Sequence, residues 1–181
     1  MANVDGQLAG PVYIVSGPPA AGKTTTARLL SQRFERGVHL LTDHFLDAIT
    51  AGLIPPWLAE SHGQNQALIR VAARAAAAYA EAGYAVVVDG VVLPWAMALY
   101  REELARARVK PRFAVLLPDL AEAVRRFEVR PPHPGLDRRV VELMHAQFVA
   151  AFADSREVVL DTTGEGPAET VERLTATLGI S

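Results

Sequence analysis

The sequence predicts an α/β fold, a three-layer helix–sheet–helix sandwich around a five-stranded parallel sheet. Three observations point to it. Five short β-rich runs recur along the chain, each followed by a segment with helical periodicity. The runs are continuously apolar rather than alternating, as in strands covered on both faces. Strands that alternate with helices need right-handed crossovers, which put helices on both sides of the sheet.

The elements follow in order. A strand over Val12–Ser16 leads through a turn rich in glycine and proline into a helix over Lys23–Arg36. A second strand, Val38–Thr42, precedes a helix over His44–Ala51 and a longer one over Gln64–Ala82, whose alanines favour helix. The third strand, Tyr84–Val88, leads to a helix over Trp95–Ala107. The fourth, Arg112–Leu117, leads to helices over Leu120–Val129 and Asp137–Ala153, and the fifth, Glu157–Leu160, to one over Pro167–Leu178. Two stretches break this rhythm. GLIPPWLAESHG (Gly52–Gly63) is rich in proline and apolar residues, and RPPHPG (Arg130–Gly135) cannot be helical because its prolines remove donors and fix φ. Both read as loops over a site.

Bulk properties narrow the function. The 181 residues suit one domain, 1–181. A net charge of -2 gives no footprint for nucleic acid or an anionic membrane. The absence of cysteine excludes disulfides, thiolate zinc sites and a cysteine nucleophile, and scattered histidines argue against a transition-metal site. No apolar run is long enough to span a bilayer, and MANVDGQLAG lacks a signal-peptide layout, so the expected location is cytoplasmic, as monomer or homodimer.

The chemistry is concentrated in GPPAAGKT, residues Gly17, Pro18, Pro19, Ala20, Ala21, Gly22, Lys23 and Thr24, with Thr25 following. The stretch matches G-x-x-x-x-G-K-[ST] between a strand and a helix, the setting in which backbone N–H groups wrap a phosphate. Lys23 is then the group that reaches the outer phosphates, and the Thr24 hydroxyl a ligand of Mg²⁺. No [NT]-K-x-D segment is present to read guanine, and the chain is short for a large motor or AAA+ ATPase. What remains is ATP-dependent transfer of a phosphoryl group to a hydroxyl.

Carboxyl ends of parallel strands face the ligand crevice. Asp43, after the second strand, is therefore a candidate general base, with capping of the next helix (by Thr42 or Asp43) as the alternative and Asp47 in reserve. Asp89, after the third strand, is a candidate Mg²⁺ ligand or acceptor contact, or else half of an Asp-Gly turn. Arg126 and Arg130 flank the proline loop and are candidates to stabilise the transferring phosphoryl, against the alternative of a solvated basic face. Trp57, His62 and Asn65 are candidates to contact the acceptor, with loop packing and helix capping as their alternatives. Arg70 and Arg74 point to solvent or to the site, and DTTGEGP (Asp161–Pro167) is placed to line an adenine pocket.

With these motifs in order, GPPAAGKTT, TDHFLD, VVVDGVV, VRRFEVR and DTT, nearly the whole chain resembles the small P-loop kinases, which include chloramphenicol phosphotransferase, gluconate kinase and shikimate kinase. It most resembles the chloramphenicol-phosphotransferase-like branch, and PWLAESHGQNQ with VVVDGVV also resembles bacterial P-loop proteins of unassigned function. The resemblance implies a nucleoside-kinase-like fold with ATP phosphates on Gly17–Thr24, Asp43 as base, and Arg126 and Arg130 in a short lid over about 126–139. The zeta-type toxins, which phosphorylate a nucleotide sugar, share this frame. The acceptor segment, about 44–66, carries no lysine or arginine; none occurs between Gly37 and Ile69. A phosphate-bearing acceptor usually needs such cations. The expected acceptor is therefore a small uncharged antibiotic or metabolite, against a nucleotide sugar or a module that binds ATP without transferring it.

Overall fold

The structure, a computed structural model, describes residues 9–130 and 136–180. Five parallel strands run in the order β2-β3-β1-β4-β5: β1 Val12–Ser16, β2 Gly37–Leu41, β3 Ala85–Asp89, β4 Arg112–Leu116 and β5 Val158–Leu160. The helices are α1 Lys23–Ser31, α2 Asp43–Asp47, α3 His62–Glu81, α4 Pro94–Arg106, α5 Leu120–Glu128, α6 Arg138–Phe152 and α7 Pro167–Leu178. Among the described residues no helix is long and apolar enough to cross a membrane.

Strand pleating sorts the core into two layers. Val12, Ile14, Val86, Val88, Phe113 and Val115 point to one face, where the small side of α3 (Ala72, Ala73, Ala76, Ala80) packs with Met97, Tyr100 and Leu104 of α4. Tyr13, Val15, Val87, Ala114 and Leu116 point to the other, against Ala27 and Leu30 of α1 and Val171 and Leu174 of α7. Strands buried on both faces are the expected signature of a parallel sheet. The strand order places β1 and β3 side by side at the centre, so the loops after β1, β2 and β3 open at one edge.

Several boundaries differ from the sequence reading for physical reasons. Helix α1 stops at Ser31 rather than Arg36, because β2 begins hard against its end: a Cβ on Gly37 would lie 1.9 Å from the Ser31 carbonyl oxygen. Helix α2 is one short turn that ends at Asp47, not Ala51. Strand β3 runs one residue further than Val88 and so carries Asp89 itself. The stretch expected as a loop over Gly52–Gly63 contains a 3-10 turn at Ala59–Ser61 and hands over directly to α3 at His62. Of the proline loop, residues 131–135 lie outside the described residues.

Candidate active site

The loop between β1 and α1 is shaped by residues that accept left-handed backbone. Gly17 has φ 149°, and a Cβ there would lie 2.3 Å from the Leu116 carbonyl oxygen, so only glycine fits. Gly22, immediately before α1, has φ 93°, and Ala20 between them is also left-handed at φ 63°. Such a turn aims successive amides into one concavity, a cradle for an anion at a helix N-terminus. Lys23 curls back over it and donates from Nζ to the Pro18 carbonyl oxygen at 2.8 Å. Burial pulls its ammonium down to about 8; the carboxylates of Asp89 and Asp43 oppose this, and the charge of Arg130 adds to it. A bound anion would add to these carboxylates and favour the charged form.

Two carboxylates reach the same place through a close approach of β2 and β3. Thr42 N donates to the Asp89 carbonyl oxygen at 3.0 Å. A Cβ on Gly90 would sit 2.2 Å from Thr42 Oγ1, so the glycine after Asp89 serves this contact rather than a free turn. Asp89 is wholly buried, yet neither of its carboxylate oxygens has a hydrogen-bond partner among the described residues. The nearest basic group is His39 Nε2, 3.4 Å from Oδ1. A bare buried carboxylate is costly unless something is meant to bind it. With the Thr24 hydroxyl on the same cleft wall, it fits a hard divalent cation or that ion's water shell. Asp43 is the first residue of α2; the N-cap is Thr42, whose side chain makes no capping bond. The Asp43 carboxylate instead lines the cleft, as does Asp47.

The arginines separate into distinct roles. Arg126 donates to Glu122 Oε1 (2.7 Å) and to the carbonyl oxygens of Ala21 (3.3 Å), Thr162 (2.7 Å) and Glu165 (3.2 Å). It is a tie between the phosphate loop and the loop after β5. Glu122, bonded by Arg125 and Arg126, is held down at about 2. Arg130 lines the cleft and lies close enough to act on Lys23. Arg138 faces Glu142 and Glu128, away from the cleft lining. Arg70 and Arg74 do not line the cleft: they lie on the solvent side, where with Arg106 they surround Glu103 of α4.

The cleft that collects these groups encloses about 790 Å³. It brings together Pro19 to Thr25, Asp43, Asp89, Arg126 and Arg130, and the loop Gly164–Pro167 closes its far side. Gly17 and Pro18 stay buried beneath it. A second cavity of about 240 Å³ adjoins it, and Asp43, Leu46, Pro56, Trp57, Val91 and Met144 line both. Trp57, His62 and Asn65 gather in this second cavity, whereas Asp89 faces only the first. Asn65 has a structural task there: its Nδ2 donates to the Pro56 carbonyl oxygen (2.7 Å) and to Ser61 Oγ (2.9 Å). Gln64 clamps both backbone groups of Ile54, so the Pro-Pro-Trp segment is riveted onto α3. Sequence reasoning missed Trp95, Met144 and Gln147, which also line the second cavity. Trp95 had a readable signal, a tryptophan just past a catalytic-edge strand; the α6 residues are brought in by tertiary packing alone.

A family model described as an AAA domain matches residues 12–153, most of the chain, which therefore belongs to that family. No curated protein sequence matches. Solved structures do. A sugar kinase from Janibacter sp. HTCC2649 superposes with a TM-score of 0.73 at 20% identity, covering 95% of this chain and 96% of that one. The Deinococcus radiodurans tunicamycin resistance protein gives 0.68 at 19% identity, over 95% and 97%. The Mycobacterium tuberculosis APS kinase in complex with AMPPNP and APS gives 0.65 at 16% identity, over 95% and 99%. The chain has the fold of the small P-loop kinases, at their own length.

Proposed function

We propose that this member of the AAA domain family is an ATP- and magnesium-dependent phosphotransferase that moves the γ-phosphate to a hydroxyl of a small uncharged molecule, an antibiotic or a metabolite. The observation that carries the reading is the position of Asp43 on the wall shared by the two cavities, between a cradle suited to phosphates and a pocket suited to an acceptor. Similarity to proteins named as a sugar kinase and an APS kinase supports it.

When bound, ATP with magnesium supplies the phosphoryl group and neutralises the charge that develops on it. Thr24 and Asp89 would hold the metal, and Lys23 with the amides of Pro19–Thr25 (proline excepted) the β- and γ-phosphates. The Asp43 carboxylate takes or orients the proton of the acceptor hydroxyl. Arg130 offers its guanidinium to the transferring oxygens, and Arg126 keeps the phosphate loop and the nucleobase side in register. Trp57 and its riveted segment wall the acceptor off from water, the competing nucleophile. A supply of ATP makes the cytoplasm the working compartment of such an enzyme.

The second cavity has no lysine or arginine among its described lining residues, which weighs against a toxin-like kinase acting on a nucleotide sugar. ADP release measured against a panel of hydroxylated antibiotics and metabolites tests the reading. An acceptor-stimulated rate is the expected result. A slow rate indifferent to every acceptor would leave only a nucleotide-binding module.

A further inference from the structure

His39 stands on β2 where an apolar residue would be expected. In the register of β2 with β3, His39 pairs with Val87 and Leu41 with Asp89. His39, Val87 and Asp89 therefore share one face of the sheet. Val87 packs there with Ala27 and Leu30 of α1, whereas Val38 and Leu40 pack on the opposite face. The His39 side chain is 18% exposed, yet its Nε2 is buried and has no hydrogen-bond partner among the described residues. Five buried side-chain atoms share that condition among the described residues, and three of them are His39 Nε2 and the two Asp89 oxygens. Nε2 lies 3.4 Å from Asp89 Oδ1, longer than a settled hydrogen bond. His145 shows the structural alternative. It is buried on α6, and its Nε2 donates to the Pro118 carbonyl oxygen at 2.8 Å, a bond closed within the protein. His39 has no such closure.

We propose that His39 is a positioning residue for the metal site: its Nε2–H donates to Asp89 Oδ1, fixing the carboxylate and leaving Oδ2 for the divalent cation that accompanies ATP. A polar ring nitrogen buried in an apolar layer costs stability unless its partner repays it. The carboxylate it faces is the one the site leaves bare. A ligating carboxylate is held in place by the groups that hydrogen-bond it from behind, and their loss typically weakens metal binding about 10–100-fold. Paired strands suit this task, because they fix the separation of ring and carboxylate better than a loop. A small turn of the ring closes the bond, and contacts of this kind are often long before the ligand arrives. The inference rests on the phosphotransferase reading only in assigning Asp89 to the cation; metal coupling is measured without transfer.

Calorimetry on the full chain measures AMPPNP affinity with saturating Mg²⁺ and again in EDTA; the ratio is the coupling of nucleotide to metal. Three variants divide the possibilities. His39→Leu removes the donor. His39→Asn keeps a polar side chain too short to reach Oδ1, and His39→Gln places an amide nitrogen near the position of Nε2. The Leu and Asn variants should lose about tenfold of the coupling, and the Gln variant should stay close to wild type. Affinity in EDTA and the melting temperature of the ligand-free protein should stay level in all three. In an Asp89→Asn background, His39→Asn should remove no further coupling, since both changes act on one contact. Wild-type coupling in His39→Asn overturns the proposal, as does an equal loss in the Asn and Gln variants. A lower melting temperature with coupling unchanged also overturns it, and makes His39 a strand-pairing residue only. Transfer to acceptors is followed in parallel. Coupling that depends on His39 in a protein that phosphorylates nothing keeps this inference and removes the kinase reading. Acceptor-stimulated transfer with coupling indifferent to His39 does the opposite.

Discussion

Glu103 and Asp89 are both carboxylates with almost no solvent exposure, Glu103 beneath its own surface arginines and Asp89 at the end of a central strand, and they are treated in opposite ways. Glu103, on α4, accepts from Arg70 Nη1 (2.6 Å), Arg74 Nε (3.0 Å) and Arg106 Nη1 (2.8 Å). Its charge is satisfied by the protein alone, and it joins α3 to α4. Asp89, at the end of β3, has no hydrogen-bond partner for either oxygen among the described residues and opens onto the phosphate cleft. Completed ion clusters hold a structure together; an incomplete one marks where the structure is meant to be completed by a ligand. The same distinction separates the arginines. Arg126 is bonded on several sides, whereas Arg130 stands on the cleft wall beside Lys23.

Substitutions should separate the ligand-facing groups from the structural ones. The largest effect belongs to Lys23→Ala, which should weaken ATP binding about 10–100-fold with the fold intact, since the lysine's intended partner is the ligand. Calorimetry showing unchanged affinity would remove the phosphate-loop assignment. Asp89→Asn should cost turnover about 100-fold and shift its magnesium dependence, while thermal stability moves little, because the buried carboxylate has no hydrogen-bond partner among the described residues to lose. Wild-type magnesium dependence in this variant would mean that Asp89 serves no metal.

Arg130→Ala should lower kcat about tenfold or more with ATP affinity kept, whereas Arg126→Ala should weaken nucleotide binding and lower the melting temperature together. Steady-state kinetics with parallel calorimetry checks both, and identical behaviour of the two variants would erase the distinction drawn between them. Glu103→Gln should do the reverse of Asp89→Asn: a melting temperature lower by several degrees and turnover untouched. The arginine bonds, led by those of Arg74 and Arg70, hold Glu103 at about 2, below its usual 4.5. A carboxylate whose folded pKa is depressed stabilises the protein above the unfolded value and loses that contribution as pH falls through the folded one. Acid unfolding between pH 4.5 and 2 should therefore be shallower in the variant. It should not be flat, because Glu122 is also held at about 2.

The parts of this molecule that could be read from its sequence are those carried by contiguous residues. The sandwich was legible because each strand is an unbroken apolar run. GPPAAGKT was legible because a phosphate cradle is built from consecutive backbone. The positions of Asp43 and Asp89 on the cleft lining follow from the rule that strand ends face the crevice. What escaped notice depends on contacts distant in sequence. Met144 and Gln147 reach the second cavity only because α6 packs where it does, and periodicity does not say which side of a helix meets which neighbour. Arg70 and Arg74 were ambiguous until Glu103, about thirty residues on, supplied their partner. Asn65 read as an acceptor contact or a helix cap, and only the folded loop reveals that its Nδ2 is committed to Pro56 and Ser61. The early end of α1 follows from Gly37 lying against Ser31, a contact no helix propensity encodes.

If Asp43, where the two cavities meet, activates an acceptor hydroxyl, Asp43→Asn should remove that activation and little else. The change keeps the side chain's size at an exposed first-turn position, so stability should move little. Phosphoryl transfer to an active acceptor is measured beside ATP affinity on the same preparation. The expected result is unchanged ATP binding and transfer reduced about 10²–10⁴-fold. Transfer at the wild-type rate with normal ATP binding would contradict it and pass the role of base to Asp47.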